Sequence, residues 1–430
     1  MKKLFKLQEN NVTFRSEMLA ALTSFFAAAY IIIVNASILS DSGMNINPLI
    51  IATVFTSVVG CLLVAFISNT PLIIVPGMGI NALFTYTLVQ TLGLSFYEAL
   101  TSVFIAGILF VIIAITPLST ILVRAIPNNL KESITIGIGL FITFIGLQKS
   151  KLIVSDTTTL LKLGDLTSPE VLAFIIIMIL TLVLFLKKVP GSFLISIILG
   201  TMISVCFGII DIHNVTYSMP DFNNYKDIFF HLDFASLGKI KFWIGTFSLT
   251  LVLVFENIGI IQSQVAGMLN RSEAASKALI AVSFSTITSA LLGSSPTVSA
   301  VEGTAGISAG GKTGLTSLAA GILFLVSIFF IPLISLIPNA AIAPILIILG
   351  CLMAQNLRNL NFDDFSELIP SFITIISIPL TYSIIDGIAF GFILYPICKL
   401  CNKKDKQLSI SMYITPLIFL LYFIANSFMH

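Results

Sequence analysis

The chain has 430 residues, of which 57% are hydrophobic and only 10% are charged, and its mean hydropathy is +1.06. A water-soluble protein needs about a quarter of its residues charged, and the polar stretches here are shorter than a domain of about 50 residues. The composition therefore excludes a soluble enzyme and predicts an all-α polytopic membrane protein. The net charge of +2 is spread over short loops, so no basic face for nucleic acid is expected.

Apolar runs of about 20 residues, the length that crosses the hydrocarbon core, alternate with short stretches rich in charge, Pro and Gly. Cutting the chain at those stretches predicts two groups of seven spans on either side of a polar stretch at 211–238. The spans are 14–39, 48–67, 72–90, 98–120, 131–148, 169–187, 190–210, 239–264, 274–292, 295–311, 313–331, 338–354, 366–382 and 384–400. A further apolar run at 409–428 is either an additional span or a helix at the membrane interface.

The Lys and Arg residues are distributed unevenly over the two sides that these spans define. With a cytoplasmic N-terminus, 16 of the 22 lie inside and the other 6 outside. The inner set is Lys2, Lys3, Lys6, Arg15, Arg124, Lys131, Lys187, Lys188, Arg271, Lys277, Lys312, Arg358, Lys399, Lys403, Lys404 and Lys406. The outer side also receives a long loop with four acids, Asp211, Asp221, Asp227 and Asp233. Because positively charged loops stay in the cytoplasm, this split predicts a multi-pass protein of the cell membrane with its N-terminus inside.

Two short echoes relate the two groups of spans. Ile126-Pro127-Asn128 opens the fifth span as Ile337-Pro338-Asn339 opens the twelfth, and Thr70-Pro71 precedes the third span as Ser295-Pro296 precedes the tenth. Because seven is odd, a duplicated half enters the membrane in the opposite orientation, which is a common transporter architecture. We expect one membrane transport domain over 1–430, with a first repeat at 14–210, an inverted second repeat at 239–400 and a C-terminal apolar helix at 409–428.

The third and tenth spans are poor membrane helices. Residues 293–311 hold five Gly, four Ser and two Thr, and the third span with the proline just before it has Pro71, Pro76, Gly77 and Gly79. Irregular backbone at membrane depth survives only where protein or a water-filled cavity satisfies its N–H and C=O groups. A matching pair of such segments predicts a substrate site at the repeat interface, with close helix packing through small residues as the alternative.

Nearly all of the 20 acids lie in loops or at span ends, where Glu17, Glu98 and Asp386 are typical of helix starts. Two do not: Glu256 lies about two thirds along the eighth span and Glu302 midway through the tenth. A carboxyl group in the membrane is costly and usually faces a functional cavity, where it can bind substrate or carry a proton. A structural acid satisfied by hydroxyls and amides is the alternative. The histidines lie outside the spans, at His213, His231 and His430.

Three short sequence motifs match known functional patterns, but the sequence around each of them excludes that function. Gly306 to Thr313 fits the phosphate-loop pattern but follows a Ser- and Gly-rich membrane segment instead of a strand. The nucleophile-elbow pattern Gly306-x-Ser308-x-Gly310 has no intramembrane His as its base, and Cys398-x-x-Cys401 has no partner pair for zinc. We expect no metal and no cofactor, and interpret five cysteines as packing residues without disulfides: Cys61, Cys206, Cys351, Cys398 and Cys401.

Several segments resemble the nucleobase-cation symporter-2 family, and within it the AzgA-like branch of hypoxanthine, guanine and adenine permeases. The resemblance covers nearly the full length and rests on Phe14 to Glu17, Tyr30 to Asn35, Pro76 to Ala82, Glu302 to Leu315, and Pro379 to Gly387. It implies a 7+7 inverted-repeat fold of fourteen spans with short strands in spans 3 and 10. It further implies a core domain from spans 1–4 and 8–11 and a gate domain from spans 5–7 and 12–14.

The resemblance also implies the residues of a nucleobase site. Glu302 matches the acid of the tenth span, Glu256 the second acid of the eighth-span pattern, and Asn81 with Gly79 the third-span site, and Val301 beside Glu302 is expected to contact substrate. The two glutamates are expected to carry the proton coupling. The eighth span departs from the family pattern at three positions, Leu253, Asn257 and Ile260, which leaves the preference for a purine open.

The expected function is therefore secondary active import of a purine nucleobase coupled to protons, with sodium as the other possible ion, by a homodimer in the lipid bilayer. Another solute on the same fold, such as uracil, xanthine or a small anion, is the alternative. Sulfate-type carriers usually append a soluble domain that this sequence does not show, and two acids in the site disfavour an anion. An intramembrane enzyme would need a His base or a paired-Asp motif in the spans, and neither is present.

Overall fold

The computed structural model describes residues 3–118, 126–210, 222–334, 336–401 and 411–427, and within them the chain is mostly helical. The helices of more than four residues are α1 (Phe14–Ser40), α2 (Ile46–Ile67), α3 (Met78–Ala82, continued by a π-helix at Leu83–Thr91), α4 (Phe96–Ile115), α5 (Asn128–Lys149), α6 (Pro169–Leu186), α7 (Ser192–Cys206), α8 (Ile240–Met268), α9 (Ser272–Leu291), α10 (Gly303–Ser308), α11 (Gly314–Ile334), α12 (Asn339–Asn359), α13 (Phe365–Thr381), α14 (Ile384–Cys401) and α15 (Ser411–Ser427). Several residues used in the sequence arguments lie outside the described residues: Lys2, Arg124, Asp211, His213, Asp221, Lys403, Lys404, Lys406 and His430.

Ten of the described helices are long and apolar enough to cross a membrane. Helices α7 and α13 are apolar but shorter, and α15 has 17 residues. The prediction of a mostly helical, multi-pass membrane protein is therefore confirmed.

The third and tenth segments are built from strand and helix in turn. Strand β1 (Ile74–Pro76) precedes α3, and strand β4 (Thr297–Ser299) precedes α10. The two strands pair antiparallel, with Val75 opposite Val298, so each supplies the backbone partners that its neighbour lacks. Between them in the sequence, β2 (Ile153–Asp156) and β3 (Leu160–Leu163) form a hairpin after α5.

The helices pack in two groups. In the first, which we call the core group, α1 to α4 pack with α8 to α11; in the second, the gate group, α5 to α7 pack with α12 to α14. Helix α15 lies against α14 and α8. The two groups meet where α3, which follows β1, contacts α5 of the gate group.

The two echoed Ile-Pro-Asn motifs begin the central helices of the gate group. Pro127 is the N-cap of α5 and Pro338 is the N-cap of α12. These helices cross at a pair of glycines, where a Cβ added to Gly350 would lie 2.3 Å from the carbonyl oxygen of Gly139. Any side chain at Gly350 would therefore force the two helices apart.

Glu98 and Glu17 show two uses of an acid in the first turn of a helix. Glu98 completes a capping box at the start of α4, where the Ser95 N–H donates to Glu98 Oε2 at 2.7 Å, so the prediction of a helix-start residue is confirmed. Glu17 also lies in a first turn, but its carboxylate accepts the hydroxyls of Thr313 (2.8 Å) and Thr316 (2.7 Å). It accepts the Lys312 and Thr316 backbone N–H groups as well, so it caps α11 in place of its own helix.

The interpretation of the cysteines holds only in part. All five thiols are free, and Cys61 is buried in the core group as expected. Cys206, Cys351 and Cys401 are exposed, so their interpretation as packing residues is wrong. Periodicity in a helix that is apolar on every side does not reveal which face turns inward, and lipid accepts a thiol as readily as the protein core does.

Candidate substrate site

Glu302 stands at the N-cap position of α10, three residues beyond the end of β4. The buried Tyr30 of α1 donates its hydroxyl to Glu302 Oε1 at 2.5 Å. The ring of Phe193 from α7 packs edge-on against Tyr30, with centroids 5.0 Å apart. A strong hydrogen bond from a rigid donor therefore fixes the partly buried carboxyl group at the end of the strand pair.

Asn81 lies in α3, just beyond β1, and is fully buried. Its amide Nδ2 donates to the Asn35 carbonyl oxygen at 3.3 Å, but its Oδ1 has no hydrogen-bond partner among the described residues. A buried acceptor without a partner costs about 1–3 kcal/mol, so this oxygen suits a donor that arrives with a ligand or a water.

Asn35 of α1 links the two broken segments behind the site. Its Nδ2 donates to Thr53 Oγ1 at 2.8 Å, and its Oδ1 accepts the Ser295 hydroxyl at 3.1 Å. Because Asn35 also holds Asn81, one side chain and its backbone join α1, α2, α3 and the segment that leads into β4. The polar interior of the core group is thus tied together at the crossing of the strands.

Glu256 lies on α8 and is half-buried. It makes no hydrogen bond or ion pair that the described residues supply. The preceding residue, Phe255, packs under the ammonium of Lys131 from α5, with 5.7 Å between Nζ and the ring centroid. Since a carboxyl group without polar partners is costly in an apolar surrounding, Glu256 is suited to bind a ligand or a proton.

Two amide side chains of α8 hold β4 in place. Asn257 accepts the Ser299 backbone N–H at 3.2 Å and donates to the Thr297 carbonyl at 3.5 Å. Gln264 donates to the Ala300 carbonyl at 2.7 Å and accepts the Ser299 hydroxyl at 2.8 Å. We call Asn257 and Gln264 the strand clamp.

In the sequence, Asn257 stands out only as a departure from the family pattern, and Gln264 belongs to none of the motifs. The signal was present, since two amides seven residues apart lie on one face of a helix and neither belongs on a lipid-facing surface. The clamp connects the surroundings of the two acids. Glu256 directly precedes Asn257, and Glu302 follows two residues after Ala300.

Gly79 and Val301 occupy different surroundings. A Cβ on the buried Gly79 would lie 2.9 Å from Ile138 Cγ2 of α5 and 3.7 Å from Met353 Cε of α12, so this glycine is where the core group touches the gate group. Val301 is 60% exposed. Leu253, which replaces an acid of the family pattern, is fully buried and acts as a packing residue.

The phosphate-loop match has a structural explanation. A Cβ on Gly306 would lie 1.9 Å from Ser24 Oγ, so the small residues of α10 allow close packing against α1. The Lys312 backbone N–H at the end of the motif donates to Glu17. Among the described residues, no three His, Cys, Asp or Glu side chains are grouped so that they could hold a metal ion.

Broken helices that meet at a polar, carboxyl-containing centre within a multi-pass helical protein define a membrane transporter. Residues 15–390 match the permease family Xan_ur_permease, and the chain belongs to that family. It is a transporter and not an enzyme.

Named relatives agree with this family. The chain is 45% identical over 382 residues to the nucleobase transporter PlAzg2 of Paenibacillus larvae, covering 89% of this chain and 76% of the relative. It is 36% identical over 416 residues to the guanine/hypoxanthine permease PbuO of Bacillus subtilis, covering 94% of this chain and 96% of the relative. The sequence-based assignment to the nucleobase permeases is therefore confirmed.

The fold is also similar to a solved structure. The transmembrane domain of the cyanobacterial bicarbonate transporter BicA superimposes with a TM-score of 0.68, covering 88% of this chain and 98% of that one. The identity is 15%, so this likeness concerns the fold alone.

Proposed function

We propose that the protein imports a purine nucleobase, of the hypoxanthine, guanine or adenine type, together with protons. The observation that carries this proposal is the 36% identity to a guanine/hypoxanthine permease over 94% of the chain. The residues at the crossing of the strands support it, because carboxyl and amide groups match the mixed donors and acceptors of a purine edge.

Each candidate residue has a role in this proposal. Glu302, held by Tyr30, accepts ring N–H donors at the end of β4. Asn81 Oδ1, which is buried without a partner, accepts a further donor, and Val301 contacts the apolar face of the ring. Gly79 leaves the space in which the core and gate groups approach each other.

Glu256 and Glu302 are the proposed proton carriers. A carboxyl group that is neutral on one side of the membrane and ionised on the other moves one proton for each cycle, and its two forms bind substrate differently. Glu256 suits this task because described groups give its ionised form no compensating hydrogen bond. Sodium is the other candidate ion, and the experiment below includes it.

We further propose that the chain crosses the membrane fourteen times, as two inverted repeats of seven spans with a core and a gate domain. The packing supports this, because the same helix–helix contacts recur when each helix is exchanged for its counterpart in the other repeat, seven places away in the order of helices. Helix α1 packs against α11 as α8 packs against α4, and α5 packs against α13 as α12 packs against α6. The antiparallel pairing of β1 with β4 fits the same symmetry.

The proposed location is the cell membrane, with a cytoplasmic N-terminus and with two copies forming a homodimer. The distribution of Lys and Arg supports this orientation. Labelling of single cysteines at Lys6 and Lys162 with a membrane-impermeant thiol reagent tests it. We expect reaction from outside at Lys162 and from inside at Lys6, and the reverse result would invert the topology. Cross-linking in native membranes tests the dimer.

A different solute on this fold is the second candidate, since the BicA domain is a bicarbonate transporter. Two carboxyl groups repel an anion when they are ionised, so the described side chains favour a neutral ring over bicarbonate or sulfate. Uracil, a pyrimidine, and xanthine, a dioxopurine, also carry ring N–H donors. They are therefore included among the competitors in the uptake test.

The test is uptake of radiolabelled hypoxanthine, guanine and adenine by proteoliposomes, with unlabelled uracil, xanthine and bicarbonate as competitors. We expect competition among hypoxanthine, guanine and adenine, accumulation that rises as the external pH falls, and loss of accumulation with a protonophore. The matched control is Glu273→Gln, which neutralises an exposed acid in the first turn of α9 and should leave uptake unchanged. Uptake that ignores pH and protonophore but follows a sodium gradient would contradict proton coupling.

A further inference from the structure

A cluster of charged and aromatic side chains joins the core group to the gate group at one end of the molecule. Asp41 follows the last residue of α1, and Lys149 is the last residue of α5. The Lys149 ammonium lies 2.7 Å from Asp41 Oδ2 and 2.9 Å from Oδ1, and Tyr86 donates its hydroxyl to Oδ2 at 2.5 Å. The Lys149 side chain is 11% exposed and the Asp41 side chain 30% exposed, so the ammonium is largely shielded from water and the carboxylate partly.

Aromatic rings surround the ion pair from both groups. Tyr382, the residue after α13, packs edge-on against Tyr86 of the core group and Phe141 of the gate group, with centroids 5.5 Å and 5.0 Å away. Its hydroxyl donates to Gln148 at 3.0 Å, which places it beside Lys149.

Two hydrogen bonds extend this contact between the groups. The Ile384 backbone N–H donates to Thr87 Oγ1 at 3.1 Å, and the Thr91 hydroxyl donates to the Tyr382 carbonyl at 3.4 Å. Helix ends of both groups thus meet in one closed seam. Thr87 is fully buried within it.

The other end of the molecule has a different character. Helix α12, which corresponds to α5 in the second repeat, ends near Arg358, and this arginine is exposed instead of buried against the core group. There the ion pair Lys399–Glu367 lies within the gate group, and the Lys131 ammonium over the ring of Phe255 joins the two groups through a cation–π contact. The partly shielded ion pair Asp41–Lys149 joins the two groups, and it therefore opposes their separation at its own end of the molecule.

We propose that Asp41, Tyr86, Lys149 and Tyr382 form a latch that keeps one entrance to the substrate site closed and must open in every transport cycle. A substrate between two helix groups can leave to both sides only if each end of the seam opens in turn. Partners at this end can separate only when water replaces their hydrogen bonds, because a lone charge in an apolar seam is costly. The latch therefore favours the conformation that is closed here, and with the N-terminus inside that entrance faces outward.

The first experiment measures opening of the seam and does not require a substrate. The Thr87→Cys variant, with the native Cys206, Cys351, Cys398 and Cys401 replaced by Ala, is treated with a membrane-impermeant thiol reagent in right-side-out and inside-out vesicles. We expect slow reaction in this background and, from one side, reaction about tenfold faster when Lys149→Met is added, because the open conformation becomes more populated.

The matched control is Lys151→Met, two residues further along, which removes a lysine whose ion pair with Glu170 stays within the gate group. This control should leave the rate of reaction within about twofold of the background, since exposed ion pairs contribute little. Equal rates for Lys149→Met and Lys151→Met from both sides would overturn the proposal.

The second experiment tests the pairing through transport and rests on the proposed purine uptake. We expect Asp41→Lys and Lys149→Asp each to lower uptake at least about tenfold, and the double reversal to recover it to within about threefold of the native rate, as coupled sites do. Single reversals without effect, or a double variant no better than either single one at equal membrane abundance, would contradict the latch. If no purine is transported, the thiol experiment still decides the proposal, so the two failures are distinguishable.

Discussion

The segments β1–α3 and β4–α10 share one backbone design but not one chemistry. Each has a proline before a three-residue strand and a short helix after it, and the strands pair with each other. The first segment is buried from Ile74 to Ala82 except at the partly buried Met78, and it continues as a nine-residue π-helix. The second has the 60% exposed Val301 and the acid Glu302 before a helix of six residues. The two segments thus share a symmetric, paired backbone, and only the second carries a carboxyl group.

The largest expected effect comes from removing the acid that distinguishes the second segment. Glu302→Gln should abolish uptake without loss of folded protein, because a neutral amide can still meet Tyr30 but can neither be deprotonated nor offer two acceptor oxygens. Uptake in proteoliposomes, normalised to purified protein, measures this. Asn81→Asp, which places an acid in the first segment, is the matched variant and should not restore uptake when combined with Glu302→Gln. Normal uptake by Glu302→Gln would remove this residue from the site.

Glu256 should give a graded series. Glu256→Asp should keep partial activity, because the family pattern has Asp at this position, and Glu256→Ala should have none. Glu256→Gln should retain at most exchange of the base that is independent of pH, because the amide can hydrogen-bond but cannot carry a proton. Counterflow and accumulation ratios at several pH values separate these outcomes. Equal activity of the Asp and Ala variants would count against a geometric role.

Replacing a residue of the strand clamp should have an intermediate effect on uptake, because the clamp bonds the second segment and not the first. Asn257→Ala leaves the Ser299 backbone N–H without this partner, and Gln264→Ala removes the acceptor of the Ser299 hydroxyl and one donor to the Ala300 carbonyl. We expect either change to lower uptake about tenfold or more, chiefly through a higher KM. Gln264→Glu keeps the acceptor for the Ser299 hydroxyl and should retain more activity than Gln264→Ala. A change in the amount of folded protein with KM unaltered would show that the clamp stabilises the fold without positioning the site.

The smallest effect should come from adding one methyl group to each segment. Gly79→Ala places a Cβ 2.9 Å from Ile138, so the gate group must shift, and we expect uptake to fall about fivefold. Gly303→Ala meets its nearest atom, the Ile73 backbone nitrogen, at 3.6 Å, which is ordinary contact, and should change uptake less than about twofold. Equal rates for the two variants would show that Gly79 does not set the approach of the two groups.

The sequence predicted those features that depend on local composition. Apolar length marks a membrane span because the bilayer has a fixed thickness, and the prolines and glycines around Pro76 and Pro296 mark broken backbone because a regular helix cannot contain them. Glu256 and Glu302 could be found because a carboxyl group stands out within an apolar run. The sequence shows which segment carries each acid, but it does not show which residues surround the carboxyl group.

The remaining features depend on partners that are distant in the sequence. Nothing near Glu17 indicates that it caps α11, almost three hundred residues later. In the sequence, Asp41 and Lys149 look like ordinary charged residues of two loops. Only the packing of the helix ends that carry them shows that they form an ion pair. Such pairings follow from the packing of whole helices, so neither periodicity nor local motifs contain them.

The pairing of β1 with β4 also has a consequence for the synthesis of the protein. Ile74 finds its partner Ser299 only after some 225 further residues have been made, which at ribosomal rates takes roughly 10–45 s. During that time the backbone N–H and C=O groups of β1 need other hydrogen-bond partners, such as the insertion machinery or water at the membrane surface. The centre of the molecule therefore assembles after both halves have entered the bilayer, and the first half by itself is the species most exposed to quality-control proteolysis.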